Sequence, residues 1–247
     1  TEEGCTHHYD DSSAAKLNCC PANGAPWLNS WTATFDDGSL GAWQTEDETL
    51  PIVWYANSAG ADGSTGAANF GDPTTGTYNN GDDPASGLLI SPPITVPPLT
   101  KGTPYAQFDL LLSTEWDVGD PNEFFPQFVV DDLTVAVAVD GYLAGAVQMW
   151  ESHYLFNTTQ GEWIRTRLDL TDYIDQEVQL VFEFDTGDDN KNDYAGPMID
   201  NVGFSTTCLT DNAVQCLYGG DCTPTDDCKV VACSDDFKCV QSPKPTP

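Results

Sequence analysis

Oxygen-bearing side chains are concentrated in one short stretch of the chain. Residues 185 to 193 include Asp185, Asp188, Asp189, Asn190, Asn192 and Asp193. Carboxylate and amide oxygens are the ligands that calcium prefers, so this stretch predicts a structural calcium site. The spacing differs from that of an EF-hand loop, because position 12 counted from Asp185 is Gly196 rather than Glu. A solvated hairpin loop is the alternative interpretation of the same residues.

Asp200 is a second candidate ligand. Strand alternation places it on the face of Met198, Val202 and Phe204. An ionised carboxylate on an apolar face needs a partner. Positive side chains are scarce, since the chain has eight Lys and Arg against 39 Asp and Glu. Either a cation or backbone amides must therefore serve Asp200.

A third acidic group consists of Glu115, Asp117 and Asp120. On a strand, Glu115 and Asp117 would share a face about 6.6 Å apart along the chain. Flexible side chains could then reach the roughly 5–5.5 Å separation of a retaining glycosidase pair. The stretch resembles the E-x-D-x-x-E strand of laminarinase-like glycosidases, with Asp in the third acidic place. An acidic loop is the alternative, because Asp120-Pro121 starts a turn.

Aromatic residues lie in or near segments rich in Gly, Asn and Asp. Trp54, Tyr55 and Tyr78 are flanked by such residues, as is Phe70. Flat rings beside hydrogen-bonding side chains could stack on sugars, which predicts a ligand-binding role for Trp54, Tyr55 and Tyr78. The alternative is a minor core beneath long loops.

The elements that must position these residues are strands, because period-two alternation recurs and no long helical period does. Four segments present one apolar face each: 105–112, 135–139, 163–170 and 177–184. Asp140-Gly141 follows the second of them and supplies the backbone conformation of a tight hairpin turn. Half-buried antiparallel strands of this kind predict an all-β protein with two packed sheets.

Three motifs point to a family. They are Phe35 to Trp43 (FDDGSLGAW), 87–94 (GLLISPPI) and 196–202 (GPMIDNV). Together they resemble the opening, middle and closing motifs of MAM-like domains, including bacterial versions appended to secreted peptidases and surface proteins. The resemblance covers Trp31 to Cys208 in sequence order.

This resemblance implies a jelly-roll sandwich, often with a structural cation, that acts in adhesion or recognition. It also implies that Asp36 and Asp37 of the opening motif lie on a strand next to Asp200, so that calcium could link the two motifs. Animal MAM domains carry a cysteine framework inside the sandwich, and this chain has no cysteine there. Homophilic adhesion of the animal type therefore does not carry over.

Cysteines occupy only the two ends of the chain. They are Cys5, Cys19, Cys20, Cys208, Cys216, Cys222, Cys228, Cys233 and Cys239. This placement predicts disulfide-stapled ends in an oxidising compartment. Because the resemblance places the domain ends together, at least one of the first three is expected to bond to a cysteine at or after Cys208. Nine is odd, so at least one thiol is free or bonds to another molecule.

The predicted organisation has four parts. They are a Cys-containing N-terminal segment (1–30), a MAM-like β-sandwich (31–207), a Cys-rich disulfide-held segment (208–241) and a Pro-rich linker (242–247). A net charge of −31 excludes nucleic acid and anionic membrane surfaces as partners. The sequence predicts a non-catalytic extracellular protein of bacterial type that acts in adhesion or surface assembly, with copies of itself or another surface protein as partner. A carbohydrate-binding module with glycan ligands is the alternative, and a laminarinase-like glycosidase is the second alternative.

Overall fold

The computed structural model describes two packed antiparallel sheets and a separate hairpin. The described residues are 25–26, 31–46, 48–61, 63–97, 103–115, 131–152, 159, 161–189, 192–207, 229–233 and 239–243. Within these ranges the helical elements are two 3₁₀ turns, Leu143–Gly145 and Thr171–Tyr173. The predicted all-β class and the two-sheet jelly-roll sandwich are confirmed. None of the described residues forms a helix long and apolar enough to cross a membrane.

The first sheet, sheet A, is built around its last strand in sequence. Its spatial order is β11 (Ile164–Asp169), β8 (Thr103–Ser113), β13 (Gly196–Thr207), β5 (Ala67–Gly71) and β4 (Val53–Asn57). Two short strands, β1 (Ala25–Pro26) and β2 (Thr32–Ala33), also pair with β13. The opening and closing motifs are therefore neighbours, because Ala33 pairs with Val202.

The second sheet, sheet B, packs against sheet A. Its spatial order is β10 (Val147–Glu151), β9 (Asp132–Val139), β12 (Glu177–Asp185), β6 (Ser86–Ile90) and β3 (Gln44–Glu46), with β7 (Ile94–Thr95) also on β12. The tight turn predicted at Asp140-Gly141 is present, since both residues have positive φ, at 51° and 72°. The return to β10 then passes through the first 3₁₀ turn.

The core lies between the sheets, where the inward faces of the alternating strands meet. Phe108 of β8 meets Phe182 of β12 edge to face, with ring centroids 5.1 Å apart. Trp31 and Phe204 make a similar contact at 4.8 Å. Such aromatic pairs bury large apolar areas and add packing specificity, so they fix how the two sheets are stacked.

One β-bulge changes the face on which Asp200 lies. The register of β13 against β8 shifts between Asp200 and Gly203, where Asn201 adopts a φ of 48°. Val202 and Phe204 pack into the core, whereas Asp200 pairs with Asp109 on the outer face of sheet A. The prediction that Asp200 shares a face with Val202 and Phe204 is therefore wrong, because the extra residue inverts the alternation.

The last two strands form a hairpin of their own. β14 (Lys229–Cys233) and β15 (Cys239–Pro243) are antiparallel, and their register places Cys233 opposite Cys239. The other seven predicted disulfide cysteines lie outside the described residues, so the predicted link between the two ends of the chain stays a prediction.

Candidate functional site

A groove crosses the outer face of sheet B. Its volume is about 280 Å³. Residues of β6, β9, β10 and β12 line it, together with the connection between β9 and β10: Ser86, Gly87, Leu88, Thr134, Ala136, Leu143, Ala146, Gln148, Val181 and Glu183. The alternation that sends Val135 and Phe182 into the core turns their neighbours Thr134, Ala136, Val181 and Glu183 outward.

The floor of this groove is apolar. Ile90, Ala138 and Val181 form a small buried cluster separate from the main core, and Leu143 and Ala146 pack against it. Val181, Leu143 and Ala146 of this cluster line the groove, together with Leu88 and Ala136. The connection after the tight turn therefore covers one end of the sheet and leaves the groove beside it.

The rim of the groove is polar. Cross-strand register places Glu183 of β12 beside Thr134 of β9, and Thr134 beside Glu151 of β10. Gln148 donates to Glu151 through Nε2 at 2.6 Å, and Glu183 is exposed. Carboxylate, amide and hydroxyl groups around an apolar floor can hydrogen-bond a hydroxyl-rich ligand while its apolar surface lies on the floor.

An exposed aromatic ring lies in the connection between β9 and β10, which also contributes residues to the groove. Tyr142 is 66% exposed, and its ring lies against Gly145, where an added Cβ would be 2.3 Å from two ring carbons. Ala146, the next residue, lines the groove. Tyr142 was missed by sequence reasoning, although its position directly after a tight turn was a usable signal.

The aromatic residues predicted to bind ligand lie elsewhere. Trp54 is 3% exposed, and its Nε1 donates to the carbonyl of Gly87 at 3.1 Å. Tyr78 is fully buried, whereas Tyr55 is half-buried and donates through its hydroxyl to Asn69 Oδ1 at 2.8 Å. Trp54 lies on β4 and Tyr78 in the loop after β5, and both rings pack into the core, which does not favour the stacking role predicted for them.

The acidic residues of the opening and closing motifs lie near each other around residues 61–65. Asp200 Oδ2 accepts from the Ala61 amide at 2.8 Å, and Oδ1 accepts from the Asn201 amide at 2.6 Å. Burial nevertheless raises the pKa of Asp200. Backbone amides thus meet the need for a partner that the sequence indicated. We call this region the Asp200 end.

Asp36 belongs to the same region. Its Oδ1 accepts from the Ser64 hydroxyl at 2.8 Å and from the Thr65 amide and hydroxyl. The Thr65 amide, followed by the Ser64 hydroxyl, lowers the pKa of Asp36 to about 2. Asp37 is exposed and accepts from the amide and hydroxyl of Ser39, so it caps its own turn.

The acidic loop between β12 and β13 is held mainly by its own backbone. Asp185 accepts from the Gly187 amide at 2.8 Å, and Asp193 accepts from Asn79 Nδ2 at 2.6 Å. Asp189 is exposed and Asp188 is half-buried. Asn192 is buried and donates to the carbonyl of Asp188 at 3.1 Å.

Asp131 is a buried acid that sequence reasoning missed. It is 2% exposed, and its Oδ2 accepts from the Tyr78 hydroxyl and from the Glu115 amide. Burial raises the pKa of Asp131 to about 7, and the charges of Glu115 and Asp188 add to the increase. We call the region of Asp131, Glu115, Asp188 and Asn192 the Asp131 end.

Neither acidic region is a metal centre built from charged ligands alone. Within the ranges that the structure describes, no three Asp, Glu, His or Cys side chains form a potential metal-binding group. A cation in this part of the chain would therefore need amide, carbonyl or water oxygens as well. The predicted structural calcium stays a prediction.

The predicted glycosidase acids are only partly described. Glu115 is buried and does not line the groove, and Asp117 and Asp120 lie outside the described residues. The groove itself is lined by one carboxylate, Glu183.

Comparisons with known proteins give similar folds only. No protein-family model matches the chain, and no curated protein matches it. One similar solved structure is the carbohydrate-binding module TmCBM61 in complex with β-1,4-galactotriose. It is 14% identical to this chain, with a TM-score of 0.45, and the alignment covers 74% of this chain and 99% of the TmCBM61 chain. The K1 cleaved adhesin domain of Lys-gingipain from Porphyromonas gingivalis is 14% identical, with a TM-score of 0.43, over 73% of this chain and 99% of its own. The module CBM27-1 of Caldicellulosiruptor saccharolyticus, in complex with mannohexaose, is 12% identical with a TM-score of 0.41, over 73% of this chain and 98% of its own.

Proposed function

We propose that this protein is a non-catalytic glycan-binding module whose ligand lies in the groove on the outer face of sheet B. The observation that carries the proposal is the combination of apolar lining residues, Leu88 and Val181, with polar ones, Thr134, Gln148 and Glu183. Sugars have C–H faces and hydroxyl edges, and this groove offers a surface for each. It favours the carbohydrate-binding alternative over adhesion through a protein partner.

The shape and charge of the groove narrow the ligand class. A volume of about 280 Å³ is slightly below the roughly 300–1,000 Å³ of ligand pockets, so the groove fits a short segment of a longer glycan chain. The net charge of −31 repels polymers that carry carboxylates or sulfates. Neutral polysaccharides are therefore the expected ligands, with Glu183 accepting hydrogen bonds from sugar hydroxyls.

The cellular setting follows from the cysteines. Nine cysteines confined to the two ends of the chain support an oxidising, extracellular compartment, where polysaccharides are accessible. Self-association through the termini stays a prediction, since the terminal segments lie mostly outside the described residues.

Blocking the groove tests the proposal. Ala136→Arg would place a long side chain on the floor, while Thr95→Arg puts the same side chain on an exposed position of β7 away from the groove. Native protein and both variants would be titrated with neutral galactan, mannan and xylan. Two proteins of similar fold are in complex with β-1,4-galactotriose and with mannohexaose, and a third is a xylan-binding module. We expect Ala136→Arg to weaken binding at least about tenfold, as loss of a central contact does, and Thr95→Arg to bind like the native protein.

The exposed ring offers a second variant pair. Tyr142→Ala removes the ring, and Gly145→Ala keeps it but forces it from its position, because the new methyl would meet the ring carbons. Weakened binding in both variants would identify Tyr142 as a stacking platform. Equal binding by the native protein and Ala136→Arg, or no binding to any neutral glycan, would overturn the proposal, and release of reducing sugar would indicate an enzyme instead.

A further inference from the structure

Four segments of the chain converge at the Asp131 end. Register places Asp185 of β12 opposite Asp132 of β9, and Gly196 of β13 opposite Ser113 of β8. Asp131 therefore lies just beyond the start of β9, Glu115 just beyond the end of β8, and the loop from β12 to β13 adjoins both. Tyr78 joins the group, because its amide donates to the carbonyl of Tyr194 at 3.2 Å.

One oxygen of Asp131 has no partner in this arrangement. Its Oδ2 accepts two hydrogen bonds, from the Tyr78 hydroxyl and from the Glu115 amide at 3.0 Å. Its Oδ1 is buried and, among the described residues, has no donor. A buried carboxylate oxygen without a partner is costly, so this atom needs either a proton or a positive charge.

A second orphaned oxygen comes from a different element. Asn192, in the loop between β12 and β13, is 2% exposed. Its Nδ2 donates to the carbonyl of Asp188 at 3.1 Å, while its Oδ1 is buried without a partner within the described residues. Two acceptors cannot satisfy each other. Asp188 links the two residues, because its carbonyl accepts from Asn192 and its charge acts on the Asp131 carboxyl. A single group bound by both oxygens would have to be a donor or a cation.

The surroundings of Asp131 are negative. The two charges that act on its carboxyl are those of Glu115 and Asp188, and both make its ionisation harder. By contrast, the neighbouring Asp132 has a donor, since the Ser152 hydroxyl bonds to its Oδ1 at 2.6 Å. The excess of negative charge thus lies around Asp131, one of whose oxygens has no partner among the described residues.

We propose that the Asp131 end binds one divalent hard cation of the calcium class, with Asp131 Oδ1 and Asn192 Oδ1 among its ligands. Glu115 and Asp188 contribute the further negative charge, and carbonyl and water oxygens complete a shell of about six to eight ligands. An amide oxygen beside carboxylates suits calcium, whose flexible coordination tolerates loop ligands better than the strict octahedron of magnesium does. The cation joins the starts of β9 and β13 to the end of β8.

The competing occupant of this position is a proton on Asp131. A proton would satisfy Asp131 Oδ1 but would leave Asn192 Oδ1 dependent on a separate donor. The two alternatives differ in one measurable way: Asp131→Asn mimics the protonated acid and preserves the structure, but it removes a charged cation ligand.

Calorimetric titration of the full chain with calcium chloride, after exhaustive chelation, tests the proposal. Terbium luminescence excited through tyrosine is a second readout, because Tyr78 bonds to the proposed ligand. We expect one saturable site whose affinity falls about tenfold or more in Asp131→Asn and in Asn192→Ser. Asp189→Asn, which removes an exposed carboxylate of the same loop, controls for general surface charge and should leave the site unchanged.

Several outcomes would overturn the proposal. They are the absence of any saturable site, or a site of native affinity in both Asp131→Asn and Asn192→Ser. A site lost only in Asp200→Asn would place the cation at the Asp200 end instead. If Asp131→Asn fails to fold, Asn192→Ser and the conservative Asn192→Asp, which should retain or tighten binding, decide the result.

Discussion

The Asp200 end and the Asp131 end solve the same electrostatic problem in two ways. Each buries an aspartate in a protein with few positive side chains. At the Asp200 end both carboxylate oxygens accept from backbone amides. At the Asp131 end one oxygen is saturated and the other has no donor among the described residues. At the Asp200 end each carboxylate oxygen thus has a donor, whereas at the Asp131 end one oxygen can still accept a proton or bind a cation.

Changing each aspartate to asparagine should have the largest effect and should separate the two ends. Asp200→Asn replaces one acceptor with a donor that faces a backbone amide, which leaves two buried donors unsatisfied and should lower the free energy of unfolding by about 3 kcal/mol. At pH 5, where Asp131 is protonated, Asp131→Asn keeps an acceptor for Tyr78 and a donor in place of the acid proton, so without calcium it should change stability by less than about 1 kcal/mol. Urea denaturation in chelator measures both, and equal losses would contradict the distinction.

The pH dependence of stability should give a smaller difference. Burial raises the pKa of Asp131 to about 7 in the folded protein, whereas an unfolded aspartate ionises near 3.9. The folded state therefore holds its proton longer, and this group's contribution to stability is present below about pH 4 and is lost as the pH rises to about 7. In chelator the loss between pH 5 and 7 should be about 2 kcal/mol. Asp131→Asn should flatten the curve in this window, and an unchanged slope would contradict the assignment.

Calcium should act at the Asp131 end alone and reverse part of that loss. A ligand that binds only the folded state, at ten times its Kd, raises the free energy of unfolding by about 1.4 kcal/mol. Melting curves at pH 7 with and without calcium should show this gain in the native protein and in Asp37→Asn, an exposed acid of the opening motif, but not in Asp131→Asn. A gain that disappears in Asp200→Asn and persists in Asp131→Asn would instead support the calcium site predicted from the sequence motifs.

The smallest effect is expected at Asp36, which is exposed and belongs to the Asp200 end. The Thr65 amide lowers its pKa to about 2, so its contribution to stability is present above about pH 4 and is lost as the pH falls towards 2. The contribution of Asp36 to stability therefore rises with pH, whereas that of Asp131 falls with pH. Asp36→Asn should remove a small part of the stability that the protein loses between pH 4 and 2. Acid unfolding monitored by circular dichroism measures this loss. Thr65→Ala, which keeps the amide but removes the hydroxyl, should retain most of it.

The sequence predicted the sandwich well, because strand alternation is a local signal. The segment from Val178 to Phe184 sends alternate residues into the core as expected. The face of β13 on which Asp200 lies was predicted wrongly, because a bulge at Asn201 shifts the alternation. The bulge depends on the positive φ of Asn201, which the alternation of residue types does not reveal. Trp54 lies on strand β4 and Tyr78 in a loop, and only the tertiary fold determines that both rings are buried.

The candidate sites were harder to predict than the fold. Asp131 follows a segment without clear periodicity, and it belongs to no recognisable motif. Its environment arises from Tyr78, Glu115 and Asn192, which are far apart in the sequence. The groove is formed by residues such as Thr134 and Ala136, whose types carry no chemical signature. Both sites are products of strand register, and register between distant strands was beyond what the sequence patterns could give.

The position of β13 has a consequence for how this protein is made. β13 is the scaffold on which β8, β5, β2 and β1 assemble, and yet it is the last strand of the sandwich to leave the ribosome. Until Val202 is available, Ala33 has no partner, and the facing edges of β5 and β8 remain open. Such distant pairings slow folding and expose strand edges in partly synthesised chains. Sheet A therefore cannot be completed until β13, the last strand of the sandwich in chain order, has been synthesised.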